Sequence, residues 1–521
     1  MASLITDVAE TVESTPDSPA IVFDGSEQTY RQFWHRTGQF AQALADHGIG
    51  EGDRVGIYLP NLPQFVTAFY GTLRAGGIVV PMNPQYKARE ISHLLGDSGA
   101  KAVISLADNV PEVVEVLSET DVEEVVSVGG AVDGATAFKN FLADETLDVV
   151  ERADDDVAVQ PYTSGTTGTP KGVLLTHRNI RWTTNANANV PHGGFQSSDR
   201  LVGTLPLFHI YGMSVVMNGA MYSGGAYYPI PEWNASAVMD VLEEDAITIM
   251  FGVPAMFNDM INQPDADTYE FEALRFVNSG GSSLPLEVLE RFEKLYDIEL
   301  YEGYGLTETS PVTHANRGSA RRKGSIGTPL DGVDAKVVTE LFETVPRIEE
   351  GPIDEDEAEL HEITGELVVS GPNVMKGYYG LPKATEEAFT EEDGTTWFHT
   401  GDICYWDEDD FFYVVDREKH MIVTGGYNVY PREIEELLFE HEAVADAAVV
   451  GVPDERRGET VKAFIVPMPD ATAEPEDIKE YCLEHIAAYK HPREVEFVEE
   501  LPRTTTGKVQ KFKISGEDAD G

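Results

Sequence analysis

The sequence YTSGTTGTPKG, residues 162–172, gathers hydroxyl side chains, glycines and one lysine into a single short segment. Gly165 and Gly168 allow the backbone to come close to an anion and to turn its N–H groups toward it. Lys171 adds a positive charge. Four side-chain hydroxyls add further donors, those of Thr163, Ser164, Thr166 and Thr167. The spacing is not that of a Walker A loop, because glycine follows the lysine where that loop needs Ser or Thr. The segment therefore predicts a loop that binds a triphosphate, with a flexible surface loop as the alternative.

Apolar runs and helical segments alternate along the sequence before this loop. The strand-like runs are residues 20–23, 54–58, 78–81 and 102–105. Between the first two runs, Phe33, Phe40 and Leu44 repeat at helical spacing within residues 30–47. Such alternation is typical of α/β layers with mostly parallel sheets.

The pattern changes near residue 416. Beyond it, two strand-like runs, at residues 447–452 and 461–466, lie between two helical segments, at residues 432–441 and 477–488. About a hundred residues of this kind predict a compact α+β unit. We therefore expect a boundary between a large first part, residues 1–415, and a small second part, residues 416–521.

The composition restricts the classes of function. A chain of 521 residues, 42% of them apolar, is long enough for at least two well-packed domains. Its 91 acidic and 37 basic residues give a net charge of −54, which argues against nucleic acid and anionic membranes as partners. The acids are spread along the chain, so we expect a cytoplasmic, salt-adapted protein. Cys404 and Cys482 are not spaced as metal ligands or as a disulfide framework. The uncharged residues 201–231 are interrupted by proline and glycine, so we expect no transmembrane segment.

Six further motifs follow the first loop in chain order. They are LPLFHIYGM (205–213), NSGGSSL (278–284), YEGYGLTETSP (301–311), HTGD (399–402), DREKHMIVTGGYNVYPREIE (416–435) and LPRTTTGK (501–508). Together the seven segments resemble the adenylate-forming superfamily: acyl-CoA synthetases, aryl-CoA ligases, firefly luciferases and peptide-synthetase adenylation domains. The resemblance covers essentially the whole chain. It implies layered α/β subdomains with a small β-barrel-like part in residues 1–415, and a mobile α+β domain in residues 416–521 with its hinge at Asp416.

The resemblance implies an ATP-dependent acid–CoA ligase that forms an acyl-adenylate and releases AMP and pyrophosphate. Because two anions must meet, positioned cations and N–H donors should lower the barrier most. Lys508 is similar to the lysine that bridges the substrate carboxylate and the phosphate, and Lys171 belongs to the phosphate loop. Glu308 resembles the family's Mg²⁺ ligand, and one carboxylate is enough because phosphate oxygens complete the shell. Thr307 would donate to the α-phosphate.

By the same resemblance, the middle motifs hold the nucleoside. Tyr304 would stack beside adenine. The other residues of this nucleotide-binding set are Asn278, Gly280, Ser282, Glu302 and Gly303. Asp402 would accept hydrogen bonds from both ribose hydroxyls, which suits a carboxylate that only accepts. Arg417 would lie beside the same ribose.

The resemblance also assigns the acyl pocket and the path of the thiol. His209 would gate the acyl pocket, which Tyr211, Val215 and Gly303 would border. Rotation of the second domain would withdraw Lys508 and bring Thr424, Gly425 and Gly426 to the site, where small residues leave room for the pantetheine arm of CoA. The catalytic candidates are Lys171, His209, Glu308 and Lys508.

The motifs restrict the substrate acid less closely. Coumarate-type ligases often carry lysines where this chain has Val423, Thr424 and Gly425, and glutamine where it has Glu302. The motifs therefore favour a medium- or long-chain fatty acid. An aryl-acid CoA ligase, a ligase that acylates a carrier protein, a luciferase-like oxygenase and a catalytically silent nucleotide-binding regulator stay as alternatives. The oligomeric state is open, with a homodimer as one option.

Overall fold

The computed structural model describes residues 3–163, 170–353, 360–417, 420–424, 427–454, 456–468, 471–504 and 508–515. The helices are α1 (Leu4–Ser14), α2 (Tyr30–Asp46), α3 (Pro63–Arg74), α4 (Ala88–Ser98), α5 (Val110–Val116), α6 (Phe138–Phe141), α7 (His177–Ala188), α8 (Asn218–Ser223), α9 (Ala235–Glu244), α10 (Pro254–Ile261), α11 (Leu286–Tyr296), α12 (Leu360–Ile363), α13 (Pro382–Glu387), α14 (Pro431–Phe439), α15 (Pro475–His485) and α16 (Lys511–Ile514).

The strands are β1 (Pro19–Phe23), β2 (Ser26–Thr29), β3 (Arg54–Tyr58), β4 (Ile78–Pro81), β5 (Ala100–Leu106), β6 (Glu124–Val128), β7 (Thr136–Ala137), β8 (Val157–Val159), β9 (Tyr162–Thr163), β10 (Lys171–Thr176), β11 (Arg200–Gly203), β12 (Ala226–Pro229), β13 (Ile249–Gly252), β14 (Phe276–Ser279), β15 (Leu300–Gly305), β16 (Val312–Ala315), β17 (Thr328–Pro329), β18 (Asp334–Val338), β19 (Gly365–Ser370), β20 (Gly377–Tyr378), β21 (Phe389–Glu392), β22 (Thr395–Trp406), β23 (Phe412–Arg417), β24 (Ile422–Thr424), β25 (Tyr427–Val429), β26 (Val444–Asp454), β27 (Gly458–Pro467) and β28 (Glu494–Phe497).

Two large sheets with parallel centres form the first part of the chain. One has the order β17-β16-β15-β14-β13-β11-β12-β1-β2, and its strands from β15 to β1 run parallel. The other has the order β20-β10-β8-β4-β3-β5-β6-β7, in which β3 to β8 pair in parallel while β10 pairs antiparallel with β8, β9 and β20. This arrangement confirms the predicted α/β layers. It also places the two ends of the loop that joins β9 and β10 at one edge of the second sheet.

Helix α2 begins and packs as the sequence pattern predicts. Thr29 caps α2, because its hydroxyl accepts from Gln32 N at 3.3 Å while the Gln32 side chain accepts from Thr29 N at 3.0 Å. Phe33, Phe40 and Leu44 then lie on the buried face of α2. Deleting such a side chain from a packed core costs about 2–5 kcal/mol, so this face fixes the helix against the sheet.

The uncharged stretch of residues 201–231 folds as short buried pieces. It continues β11, passes through a π-helix at Tyr211–Met217 and α8, and ends just after β12. Within the described residues, the structure contains no helix with the length and apolar character needed to cross a bilayer.

Two smaller antiparallel arrangements complete the fold. One sheet has the order β18-β19-β22-β21 with β23 paired to β22, and the last has the order β25-β24-β27-β26 with β28 parallel to β27. The last sheet packs with α14 and α15 around a separate hydrophobic core. This core includes Ile434, Leu438, Val449 and Ile465. The predicted α+β character of this part is confirmed. The exact domain boundary and the hinge stay predictions.

Candidate functional site

The two strands that border the predicted phosphate loop, β9 and β10, pair with each other. Thr163 of β9 lies opposite Lys171 of β10 in antiparallel register. The imidazole Nε2 of His93 lies 3.1 Å from the carbonyl oxygen of Pro170, at the end of the loop. The predicted phosphate donors Ser164, Gly165, Thr166, Thr167 and Gly168 fall outside the described residues. Pairing of Thr163 with Lys171 fixes the entrance and exit of the loop.

Glu308 reaches the same region from the other large sheet. It lies in a short 3-10 turn, Thr307–Thr309, directly after β15, and Leu306 N donates to Thr309 Oγ1 at 3.0 Å to close the turn. The hydroxyl of Tyr378 donates to Glu308 Oε1 at 3.0 Å. The ring of Tyr378 also lies below Lys171, with 5.2 Å between Lys171 Nζ and the ring centroid. Two predicted site residues thus meet at one tyrosine.

Sequence analysis did not single out Tyr378. Its segment, KGYYG at residues 376–380, lies outside the motifs that carried the resemblance. Two aromatic residues between glycines are a weak signal by themselves. The role becomes visible only through the pairing of β20 with β10, which joins positions some two hundred residues apart.

Asp402, Arg417 and Tyr304 form one compact group. Asp402 and Arg417 lie opposite each other on β22 and β23, and Arg417 Nε is 2.9 Å from Asp402 Oδ1. The Tyr304 hydroxyl donates to Asp402 Oδ2. The charge of Asp402 raises the pKa of Arg417, and burial together with Asp402 raises the pKa of Tyr304, so both side chains keep their protons. A carboxylate has about four lone-pair positions, so two remain for a ligand with two hydroxyl groups.

The end of β14 lies beside this group. Tyr211 donates its hydroxyl proton to Asn278 Oδ1 at 2.9 Å. A Cβ on Gly280 would come within 3.0 Å of that tyrosine oxygen, and a Cβ on Gly303 would lie 3.5 Å from Asn278 Oδ1. Glycine at positions 280 and 303 therefore leaves space beside Tyr211 and Asn278 that a larger residue would fill. Ser282, on the loop that follows, is exposed.

Glu302 is a buried acid on β15. Its side chain is 5% exposed, and Leu284 N donates to Oε1 at the long distance of 3.4 Å. Burial raises the pKa of Glu302 to about 7, although the positive charge of Arg432 on α14 acts in the opposite direction. The Glu302 side chain is therefore buried behind the site, and the charge of Arg432 in the C-terminal part affects its pKa.

His209 stands at the start of the π-helix. Tyr211 N donates to His209 Nδ1 at 3.2 Å, so this nitrogen must carry the lone pair and the neutral ring carries its proton on Nε2. Burial and the positive charge of Lys508 lower the pKa of His209 to about 3. The imidazole is therefore neutral near pH 7, and Lys508 lies within electrostatic range of it. Val215, further along the π-helix, is fully buried.

The region of the predicted hinge is tied to the first helix of the C-terminal part. Asp416 Oδ1 accepts from Arg417 N at 2.6 Å, and Oδ2 accepts from Arg432 N at 3.1 Å, at the start of α14. Burial opposes ionisation of Asp416, but hydrogen bonding from His420 and the charge of Lys511 hold its pKa below the usual value. One ionised side chain therefore joins β23 to α14.

Of the residues predicted for the CoA path, the structure describes only Thr424. Thr424 is buried in β24, where it pairs with Tyr427 of β25 and Gly458 of β27. Gly425 and Gly426 fall outside the described residues. Of the predicted residues in this part, it is Lys508 whose charge acts on His209.

Comparison with known proteins decides the family. A family model described as AMP-binding enzyme matches residues 8–379, and one described as AMP-binding enzyme C-terminal domain matches residues 433–508. The chain belongs to the AMP-binding enzymes.

Relatives of this AMP-binding enzyme extend over its whole length. The long-chain-fatty-acid–CoA ligase of Bacillus subtilis strain 168 is 36% identical, over 100% of this chain and 95% of that protein. The feruloyl-CoA synthase of an Amycolatopsis species is 34% identical, over 96% of each chain. The ATP-bound crystal structure of MatB from Rhodopseudomonas palustris superimposes with a TM-score of 0.88, at 27% identity and over 99% of both chains.

These relationships confirm several predictions. The AMP-binding enzyme is an AMP-forming acid–thiol ligase of the adenylate-forming superfamily, and ATP is its nucleotide. The acid that it activates is not settled at this level of identity, because the relatives carry names for both fatty and aromatic acids. The roles of individual residues stay predictions.

Proposed function

We propose that this enzyme joins a medium- or long-chain fatty acid to coenzyme A through an acyl-adenylate. The observation that carries the proposal is that the positive charge of Lys508 acts on neutral His209, just before the π-helix that bears Tyr211 and Val215. A cation at this point can meet a carboxylate whose apolar chain lies along that helix. The Bacillus relative, named for long-chain fatty acids, supports this choice of acid.

In the first half-reaction, a carboxylate oxygen attacks the α-phosphorus of ATP. A new carboxylate–phosphorus bond forms and the bond from that phosphorus to pyrophosphate breaks. Lys508 and Lys171 offset the approach of the two anions, and Thr307 donates to the α-phosphate. Asp402 accepts from the ribose hydroxyls while Arg417 and Tyr304 hold its two oxygens in place.

Glu308 fits the proposed magnesium ligand. The carboxylate is half-buried at the end of β15, and its Oε1 is held by Tyr378. The part of the chain that the structure describes contains no cluster of three or more His, Cys, Asp or Glu side chains able to hold a metal ion. Mg²⁺ takes one or two carboxylates and completes its shell with water and phosphate oxygens. When bound, it would neutralise charge on the phosphates.

In the second half-reaction, the sulfur of CoA attacks the acyl carbonyl carbon. The carbon–sulfur bond forms, the bond to the AMP oxygen breaks, and the thiol proton passes to solvent. We propose that the C-terminal part turns about Asp416, so that Lys508 leaves and Thr424, Gly425 and Gly426 approach the site. His209, neutral and protonated at Nε2, can move aside without separating a charge pair.

A second candidate acid is aromatic. Tyr211, Phe251 and Phe276 form a chain of edge-on ring contacts, with centroids 6.1 and 5.8 Å apart. Such a wall suits a flat ring as well as a methylene chain. The feruloyl-CoA synthase relative supports this alternative.

A panel of acids separates the two candidates. Acids from acetate to palmitate, with benzoate and coumarate, are assayed for AMP release in the presence of CoA at high potassium chloride. Each added methylene contributes only about 1–3 kcal/mol, so kcat/KM should rise in steps with chain length up to the size of the pocket. A preference for benzoate or coumarate, or a flat response, would overturn the fatty-acid proposal. Acid-dependent exchange of pyrophosphate into ATP excludes a silent nucleotide-binding regulator, and loss of the CoA thiol excludes transfer to a carrier protein alone.

A further inference from the structure

The backbone around Tyr378 is held by the strand that leaves the phosphate loop. Tyr378 of β20 lies directly opposite Val173 of β10. Tyr379 N donates to Gly172 O at 2.7 Å, and Tyr378 N donates to Thr385 Oγ1 at 2.9 Å. These bonds leave the tyrosine backbone little freedom relative to β10.

The same register explains why Lys171 and Tyr378 meet. Lys171 precedes Val173 by two residues, so both side chains leave the same face of β10. Diagonal neighbours on one face of an antiparallel pair are within reach of long and aromatic side chains. The ammonium lies 5.2 Å from the ring centroid, within the range of a cation–π contact.

The hydroxyl of Tyr378 contacts Glu308, which follows a strand of the other large sheet. Tyr378 Oη donates to Glu308 Oε1 at 3.0 Å, and Met375 N donates to the Glu308 carbonyl oxygen at 2.8 Å. Residues 375–378 therefore hold both the backbone and the side chain of Glu308.

We infer that Tyr378 is a positioning residue that sets the directions of the Lys171 ammonium and the Glu308 carboxylate toward magnesium–ATP. The inference rests on the proposed function, in which Glu308 holds the metal and Lys171 meets the phosphates. The aromatic face holds Lys171 in place without neutralising its charge. A carboxylate partner would neutralise it. The hydroxyl occupies one oxygen of Glu308 and thereby orients the other one for a ligand.

The two contacts can be separated by substitution. Tyr378→Phe removes the hydrogen bond to Glu308 and keeps the ring below Lys171, whereas Tyr378→Leu removes both. Tyr379→Phe is the matched control, because it deletes the same hydroxyl one residue away, where the ring lies against Arg54 at 4.8 Å. Circular dichroism and thermal melting establish that each variant is folded.

The readout is binding of ATP without acid or CoA, by calorimetry, with EDTA and with saturating Mg²⁺. Loss of a partner that orients a metal ligand weakens metal affinity about 10–100-fold. Tyr378→Phe should therefore lower the gain in ATP affinity from Mg²⁺ by about 10-fold and leave metal-free ATP binding within about 3-fold of wild type. Tyr378→Leu should weaken metal-free ATP binding as well, and Tyr379→Phe should change neither quantity.

Three outcomes would overturn the inference. Tyr378→Phe could behave like Tyr379→Phe, or it could weaken ATP binding equally with and without Mg²⁺, as general structural damage would. In both cases Glu308→Gln, which should abolish the Mg²⁺ effect, shows that the proposed function still stands. A wild-type protein whose ATP affinity does not respond to Mg²⁺ would overturn the assignment of Glu308 itself, and the inference with it.

Discussion

Replacing Glu302 by glutamine should stabilise the protein above neutral pH. The Glu302 carboxyl is 5% exposed and receives one long hydrogen bond, from Leu284 N at 3.4 Å. Burial raises its pKa to about 7 from a usual value of 4.5. Glutamine keeps an oxygen for Leu284 N and carries no charge to desolvate, so the packing at this position should survive the change.

The sign and size of the effect follow from the two pKa values. Between pH 4.5 and 7 the folded protein holds a proton on Glu302 that the unfolded chain has released. Stability therefore falls as pH rises through this window and is constant above it. The penalty is about 3 kcal/mol at pH 8 and about 1 kcal/mol at pH 5.5, from 1.36 kcal/mol per pKa unit. Glu302→Gln removes the penalty, so its advantage over wild type should grow with pH by about 2 kcal/mol.

Chemical unfolding at fixed high salt measures this difference. Wild type and Glu302→Gln are compared at pH 5.5 and pH 8, with Glu272→Gln as the control because it makes the same chemical change at an exposed side chain. The control substitution should change the free energy of unfolding by less than about 0.5 kcal/mol at each of the two pH values. An advantage of Glu302→Gln that is independent of pH, or larger at pH 5.5, would refute the reasoning.

Three further predictions concern catalysis, packing and charge. Lys508→Ala should slow acyl-adenylate formation about 10²–10³-fold while sparing thioester formation from supplied acyl-adenylate; pyrophosphate exchange and CoA-thiol loss measure the two steps, and equal losses would contradict the assigned role. Gly305→Ala would place a Cβ 1.9 Å from Pro311 O and should cost about 3 kcal/mol or more in unfolding free energy, whereas Gly394→Ala, with open space around a φ of +83°, should cost only about 1 kcal/mol. Because a net charge of −54 repels itself, the thermal midpoint should rise as KCl is increased from about 0.1 M to about 1 M; an unchanged midpoint would contradict salt adaptation.

The local elements could be predicted because their signals are local. The apolar runs at residues 54–58 and 78–81 coincide with β3 and β4. Both runs are short, are bounded by glycine, proline or charged residues, and lie buried between layers, which is the usual pattern of a central parallel strand. The family motifs then supplied the order of these elements.

The organisation of the site could not be predicted, because it depends on pairing between distant segments. Contact between Tyr378 and Lys171 requires the register of β20 against β10. The high pKa of Glu302 requires its burial behind β14 and the approach of α14. Nor does the sequence reveal that residues 211–217 wind as a π-helix, because no local residue pattern distinguishes that winding from an α-helix.

The charges at the site explain how so acidic a chain can attract ATP and a carboxylate. A long-range field from 91 acids disfavours both anions, so the cations that bind them must not be neutralised locally. Among the described residues, Lys171 lies over the neutral ring of Tyr378, and the positive charge of Lys508 helps burial to lower the pKa of His209 to about 3, so that imidazole is neutral. Arg417 is the exception, because its partner Asp402 is charged, and that carboxylate is assigned to a neutral diol and not to phosphate. In the proposed roles, Lys171 with its neutral aromatic neighbour belongs to an anion-binding half of the site, and Arg417 with its charged partner belongs to a hydroxyl-binding half. Because His209 is neutral and lies within reach of the charge of Lys508, substitution of His209 by a permanently charged residue should impair adenylation more than substitution by asparagine, as pyrophosphate exchange would measure. The opposite order of the two variants would show that the role proposed for Lys508 does not depend on a neutral side chain at position 209.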